Sequence, residues 1–517
     1  MGHLCGCVEF HDLAVELLIR SDQHSKNMAM ISVPDLRVRS CNSLPVRQDG
    51  EFVLYWMIAS HRTTWNFALD RAVEWAEKLH KPLAVLEALR CGYPWASDRM
   101  HNFILDGMAE NACRLEGTGV LHYPFLEAEP NVGKGLLRAM ALHACVVVTD
   151  DFPCFFIPQM IAAAAQQVSI RMEAIDSNGL FPLQAADQVF STAHAFRRFL
   201  QKNLPLHLME FPKANAMADA KIPAAKGVSR EITARWPRMS AKLLNSEHSF
   251  LRQLPINHKI TPVAARGGTT PAQALLKEFL RNKLDEYFEV RNEPEREATS
   301  GLSPYLHFGH ISVHQIFSEI TKQEGWSPHH LSLRSTGSRT GWWGLGQAAE
   351  AFLDQLITWR ELGFNYCYQR TDYDKFESLP EWALKTLRQH ARDERSHTYS
   401  LHEFEDASTH DPLWNAAQTQ LVREGRIHNY LRMLWGKKIL EWTPSPAKAL
   451  AIMIELNNKY ALDGRDPNSY SGIFWCLGRY DRPWGPERPI FGTVRYMSSE
   501  NTARKFRVKD YVRSYTS

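Results

Sequence analysis

The sequence predicts two domains of different class: an N-terminal doubly wound α/β domain with a parallel sheet, then a long linker, then an all-helical domain. Three observations point there. Short apolar runs alternate with helix-period segments over the first 185 residues, residues 186–270 are proline-containing and basic, and beyond Pro271 apolar spacing is helical nearly throughout. With 517 residues, 44% of them hydrophobic, the chain has material for two or more cores.

Met1–Leu36 lacks the basic start and long apolar segment of a secretory signal, and Gly6 stands where N-myristoylation needs Ser or Thr. This stretch is expected to be a variable extension, with Cys5 and Cys7 as idle thiols. The α/β domain is assigned to 37–185. Phe52–Ala59 (FVLYWMIA) is a continuous apolar run, as expected of a strand buried on both faces. Leu69, Ala72, Val73, Ala76 and Leu79 then recur at helical spacing, and Pro82 is expected to end that helix before a strand at Leu83–Leu89. Cys145–Thr149 and Ile170–Ile175 are the closing strands. Ligands of such sheets bind beyond the strands' carboxyl ends. Neither G-x-G-x-x-G nor G-x-x-x-x-G-K-[ST] occurs, so the usual dinucleotide and triphosphate loops are unsupported. The linker is 186–270 and the helical domain 271–517, interrupted by a loop at Gly325–Gly346.

No apolar run reaches 18 residues, which excludes a spanning helix. Nine scattered cysteines without a C-x-x-C pair argue against a disulfide framework and a structural zinc, and no metal site is expected. Net charge is +3, unevenly spread: 186–270 holds thirteen Lys/Arg against five Asp/Glu, and 477–517 nine against four. Such surpluses suit a phosphate backbone, or equally a solvated linker and tail.

Three tryptophans carry the strongest functional signal. Trp435 and Trp442 are seven residues apart, which on one helix puts them on the same face roughly 10 Å apart; Trp414 lies upstream. Spacing alone is what core anchors would show, and it does not by itself point to a row of oxidisable rings. Thr299-Ser300-Gly301-Leu302-Ser303 precedes Pro304 and a helical run beginning at Tyr305, which makes either a helix cap or an anion cradle.

The words around these residues decide between the readings. "DPLWNAAQ", "RMLWGKKILEW", "LNNKYALDGRDPNSYSGIFW" and "SGLSPYLHFG" together resemble the photolyase/cryptochrome family, in particular its class II cyclobutane pyrimidine dimer photolyases. The resemblance is dense from Leu280 to Val512 and thinner from about Arg37 to Pro182. It implies an antenna role for the α/β domain and FAD in the helical domain. FAD would be held by Thr299, Ser300, Gly301, Leu302 and Ser303, by Tyr287, and by Arg432 and Asp463 with the adjoining Gly464 and Arg465. Asn457 would face flavin N5, and Trp435, Trp414 and Trp442, in that order outward, would pass electrons to it. Trp359 and Trp475 would stack on the flipped-out dimer, Met433 would pack beside it, and Arg291 and Arg495 would lie near the lesion and the DNA backbone. The loop at Gly325–Gly346 is longer than the family pattern.

One position departs from the pattern. Gln355 stands where the family has a glutamate that hydrogen-bonds the dimer's carbonyls, and an amide can donate a hydrogen bond but not a proton. Asp354 and Glu361 are not expected to replace it. The implied activity is light-dependent repair of pyrimidine dimers in DNA, a carbon–carbon lyase reaction, by a monomer with no membrane association. The expected compartment is cytoplasmic, nucleoid-associated in a bacterium and nuclear or organellar in a eukaryote. Two other readings stay open: a cryptochrome-like blue-light sensor without repair, and a (6-4) photoproduct enzyme, which the class II words disfavour. For the antenna pigment, a deazaflavin, a folate and an empty site are not distinguished by these residues.

Overall fold

A computed structural model describes residues 33–516, apart from 245 and 247. The expectations for Cys5, Cys7 and the extension up to residue 32 lie outside the described residues. Val33 is already buried, and its N–H donates to Glu74.

Six strands form one sheet: β1 (Val38–Ser40), β2 (Phe52–Met57), β3 (Leu83–Leu89), β4 (Leu121–Leu126), β5 (Ala144–Asp150) and β6 (Met172–Ile175), in spatial order β1-β6-β5-β2-β3-β4. β2 to β6 run parallel, and β1 pairs antiparallel with β6 at one edge. Side chains alternate along β2. Val53, Tyr55 and Met57 enter one core with helix α1 (Phe67–Leu79), whereas Phe52, Leu54 and Trp56 enter the other with α2 (Asp98–Leu115) and α3 (Ile157–Gln167). Strand order reverses between β2 and β5. There the Asp150 carboxylate accepts the backbone N–H of Ile58, Ala59 and Ser60 at 2.8, 2.8 and 3.0 Å and the Tyr55 hydroxyl at 2.8 Å.

Three local expectations are corrected and two strands are added. β1 and β4 were not legible, since β1 has three residues and β4 is an edge strand broken in pattern by Pro124. α1 closes at His80, in the left-handed conformation, two residues ahead of Pro82. The short helix after the Thr299–Leu302 segment begins at Ser303 rather than Tyr305. Trp442 is not inside the helix of Trp435 but is the residue that ends it.

Within the linker region, α4 (Ala193–Asn203) packs on the helical half. There α5 (Gln347–Leu353) continues through a π-helical turn, Asp354–Trp359, into α6 (Arg360–Gln369). The remaining helices used below are α7 (Pro412–Glu424), α8 (Asn429–Glu441), α9 (Pro446–Tyr460) and α10 (Pro467–Trp475). Three of them start with the same device, a capping side chain followed by proline: Asp411-Pro412, Ser445-Pro446 and Asp466-Pro467. The capping oxygens accept from Leu413, Lys448 and Asn468 at 3.0, 3.3 and 2.9 Å, while the proline lacks an N–H that would otherwise go unpaired.

Buried charge joins the two halves. Arg360 donates to the Asn178 carbonyl at 2.7 Å, and Glu361 accepts from the N–H of Leu180 and Phe181 at 2.8 and 3.0 Å. Arg37, wholly buried, donates to the carbonyls of Gly179 and Leu180 at 3.1 and 2.8 Å. Gly179 has no room for a side chain, because a Cβ there would meet the Glu361 carboxyl carbon at 2.5 Å.

Burial pushes the Glu361 carboxyl up to about 7. A raised folded-state value stabilises the protein fully below the ordinary glutamate range of about 4.3 and loses that contribution as pH rises through it towards the folded value. Glu361→Gln is therefore expected to flatten the pH dependence of stability between those limits. It should also cost about 1–3 kcal/mol, because an amide NH₂ would face a backbone N–H donor. Urea titrations of both proteins at several pH values read both effects.

Candidate functional site

Some of the residues singled out in the sequence lie on α8 or on the helices packed against it, α7, α9 and α10; Tyr287, Gln355 and Trp359 lie on other elements. Arg432 donates to the Asp463 carboxylate at 3.1 Å, both side chains only slightly exposed. Burial alone would raise the Asp463 carboxyl, but the Arg432 charge and a hydrogen bond from Ser303 hold it below the usual range. Ser303 thus lies beside the ion pair, and the 299–303 segment with it. The N-cap of the short helix is Leu302, with no side-chain cap; Ser300 accepts from the Leu302 N–H at 3.4 Å, and Ser303 is exposed. The segment's hydroxyls are thus not consumed in capping the helix. Gly301 has φ +67°, a turn a side chain would strain.

Asn457 is buried on α9 and donates through Nδ2 to Ser469 Oγ at 2.8 Å and Asn458 Oδ1 at 3.2 Å. Its own Oδ1 accepts from none of the described residues, so it can meet a ligand donor. Gly464 is pinned: a Cβ would meet the Asn457 carbonyl oxygen at 2.8 Å. Arg465, with φ +66°, turns its guanidinium onto the carbonyls of Asn458, Ala461 and Leu462, so here it braces the α9–α10 turn. Tyr287 is buried against Phe279 and Phe352, with the Arg291 guanidinium over its ring at 5.6 Å.

All three tryptophans are buried. Trp435 donates through its indole N–H to Gln418 Oε1 at 2.9 Å, Trp414 donates to the Trp435 carbonyl at 3.1 Å, and the Trp414 and Trp442 rings lie 6.0 Å apart. Trp414 thus touches the backbone of Trp435 and the ring of Trp442, and Trp442 leads on to Tyr399 and the exposed His410.

On a different side of α8, Met433 meets α10, where its methyl would contact a Cβ at Gly472 at 3.8 Å. Trp475, at the end of α10, is half-buried, with Arg495 over its ring at 5.8 Å and Arg495 in turn over Trp484 at 5.0 Å. The basic C-terminal surplus thus collects on aromatic rings. Trp359 and Gln355, both half-buried, occupy the π-helical turn, a feature frequent at functional sites. α6, which follows, packs closely on α10: a Cβ at Gly363 would lie 2.7 Å from Ser471 Oγ. Asp354 is committed to Arg197 at 2.7 Å and Glu361 to the Leu180–Phe181 backbone, so neither stands in for Gln355.

Sequence reasoning missed Gln418 and Ser469, which orient Trp435 and Asn457. Gln418 had a signal, lying one helical turn after Trp414. It also missed a cavity beyond the carboxyl ends of β2 and β3, lined by Tyr93, Met100, Phe152, Phe156, His61 and His307. Glu87, fully buried, accepts from His61 at 2.7 Å and His122 at 3.0 Å; these partners outweigh its burial and hold its carboxyl at about 2.

No family model matches the chain. It is 36% identical over 480 residues to a deoxyribodipyrimidine photo-lyase of Methanothermobacter thermautotrophicus, covering 92% of this chain and 97% of that protein. Among solved structures it resembles a class III photolyase from Agrobacterium tumefaciens (TM-score 0.63, 18% identity, covering 92% of this chain and 87% of that one). It also resembles a Synechocystis cryptochrome (TM-score 0.64, 14% identity, covering 90% and 88%). The chain belongs to the photolyase/cryptochrome family. Among the described residues no helix is long and apolar enough to cross a membrane, and no group of three or more His, Cys, Asp or Glu could hold a metal ion.

The Arg432–Asp463 pair yields a prediction independent of ligand. Its stabilisation is fully present above the ordinary aspartate range of about 3.9 and is lost as pH falls through the lower folded value. Asp463→Asn should weaken the acid dependence of stability, read as the shift of thermal midpoint between neutral and acidic buffer.

Proposed function

We propose that this chain is a class II photolyase that binds FAD and repairs cyclobutane pyrimidine dimers in DNA under blue light, acting as a monomer. The supporting observation is that one helix, α8, serves two sites. Its Arg432 pairs with Asp463 and its Trp435 with Gln418 and Trp414, while Met433, on another side, meets Gly472 and Cys476 of the segment that carries Trp475. The donor set suits FAD: hydroxyls and free N–H groups at 299–303 for the pyrophosphate, a fixed cation beside the ring system, and an amide oxygen open to a ring N–H. When bound, FAD supplies light absorption and the single electron that opens the dimer, which returns once the ring bonds split.

The chain's own residues do the rest. Arg432, held by Asp463, compensates negative charge in a poorly solvated site. Trp359 and Trp475 offer aromatic faces that offset the unstacking of an extruded lesion. Gln355 donates a neutral hydrogen bond to a dimer carbonyl. Arg291 and Arg495 contact the DNA backbone, and the cavity beyond β2 and β3 takes an antenna pigment.

Repair of a dimer-containing oligonucleotide in light, and none in the dark, is the expected outcome. FAD binding and photoreduction with no repair, in the wild type and in Gln355→Glu alike, would favour the light-sensing alternative. If repair occurs, Gln355→Glu should keep or raise the yield per absorbed photon.

Trp435→Phe should retain FAD and largely abolish its photoreduction, because phenylalanine keeps most of the volume but resists oxidation. Undiminished photoreduction would return the three indoles to core packing. Arg291→Ala and Arg495→Ala should each weaken binding to dimer-containing duplex and reduce the salt slope by about one phosphate contact.

A further inference from the structure

Lys437 is a buried cation that none of the described residues pairs with. Its side chain is wholly buried on α8, one turn beyond Met433, and its Nζ has no hydrogen-bond partner among the described residues. The ammonium lies 5.2 Å from the centre of the Trp475 ring. Its neighbour Lys438 lies at the same distance from Trp442 but is neutralised by Glu441 at 2.8 Å. Two adjacent lysines thus serve two indoles differently, one as an ion pair and one as a bare charge. An unpaired buried ammonium is costly, so a fold that keeps one calls for a reason beyond packing.

The charged and titratable groups that face Lys437 are few. Cys476 follows Trp475 in sequence, Asp481 acts from the next turn, and Arg495 lies over the same indole. One Asp481 oxygen accepts from the Arg482 N–H and the Trp484 indole, while the other is buried without a partner. Among the described residues, therefore, no acid closes an ion pair with Lys437.

We propose that Lys437 is a positioning residue of the lesion pocket: its unpaired ammonium holds the Trp475 ring for stacking and places a positive charge behind the dimer. This rests on the repair reading above and names a residue that reading does not use. During repair the dimer carries one added electron, and a fixed cation behind the stacking ring lowers the energy of that state without touching the substrate. Because Nζ is shielded from solvent, the effect is exerted through Trp475 and through space. The same charge makes Trp475 hard to oxidise, which keeps it from competing with Trp435, Trp414 and Trp442 as a donor.

Lys437→Met removes the charge at similar volume, and Lys437→Arg retains it. With Lys437→Met, FAD content should stay unchanged, while affinity for dimer-containing duplex should weaken because the Trp475 ring loses the charge that holds it for stacking. Repair per absorbed photon should fall by roughly tenfold, the scale of one charge acting across several ångströms of protein. Lys437→Arg should recover most of it. Burial brings the Lys437 ammonium down to about 8, so wild-type repair should decline as pH rises through that value, and Lys437→Met should not follow.

A second readout needs neither FAD nor repair. In fluorotryptophan-labelled apo-protein, the Trp475 fluorine resonance, identified by its loss in Trp475→Phe, should titrate near the same pH and stop titrating in Lys437→Met. Wild-type repair yield in Lys437→Met, or a Trp475 resonance indifferent to Lys437, would overturn the inference. If Lys437→Met does not fold, the wild-type pH profile and Lys437→Arg decide it. Absence of repair by the wild type would instead count against the repair reading, and the resonance would still test the Lys437–Trp475 contact.

Discussion

The seam between the two halves rests on Arg360 and Glu361, neighbouring charges of opposite sign that are both buried. Neither could be stable there without partners, and the partners are backbone groups of the Asn178–Phe181 segment that follows β6. Arg37 meets the same segment from its other side. One short stretch of chain is thereby clamped by three charged side chains. The next residue towards the N-terminus on the clamped helix is Trp359, the end of the π-helical turn that also carries Gln355. The orientation of that turn relative to the sheet follows from satisfying buried charge rather than from apolar packing alone. Further arginines of the α/β half repeat the pattern, Arg62 on the Gly309 carbonyl and Arg99 on those of Val422 and Tyr460.

The helical half is organised around α8. An α-helix turns by about 100° per residue, so successive positions face different neighbours. Arg432 and Met433 are adjacent in sequence yet belong to different surroundings, Asp463 on one side and the Gly472 turn of α10 on the other. Gly436 allows the approach, since a Cβ there would meet Cys476 Sγ at 2.5 Å. The charges on the helix are handled individually. Arg432 is paired with Asp463, Lys438 with Glu441, and Lys437 is left against an indole.

Much of this was legible in the residues. The alternation of apolar runs with helix-period segments indicated a doubly wound sheet, because the period of burial is set by backbone geometry and is written locally. β2 and β3 fell close to the expected runs. Three helix starts are spelled by a capping residue and proline. β1 and β4 escaped because their pairing comes from neighbours distant in sequence: Ser40 opposes Glu173, and Pro124 stands beside Glu87. Of the site, the words that resemble the photolyase/cryptochrome family pointed to candidate residues but not to the partners that hold them. Gln418 and Ser469 acquire meaning only when α7 meets α8 and α10 meets α9.

The sequence by itself determined four of the six strands, the alternation of strands with helices in the first half, the helical character of the second, and which family the chain resembles. These depend on local periodicity and recognisable words. The tertiary structure decided what each polar side chain does, because burial and partnership belong to a position in space. Asp354, Gln355 and Glu361 lie within seven residues of one another, and only folding separates their roles. Asp354 is neutralised by Arg197, Glu361 is spent on the backbone of the α/β domain, and Gln355 remains on the turn with Trp359. The physical reason is that a charge removed from water must be met by whatever the fold brings within about 3 Å, and sequence order does not record that distance.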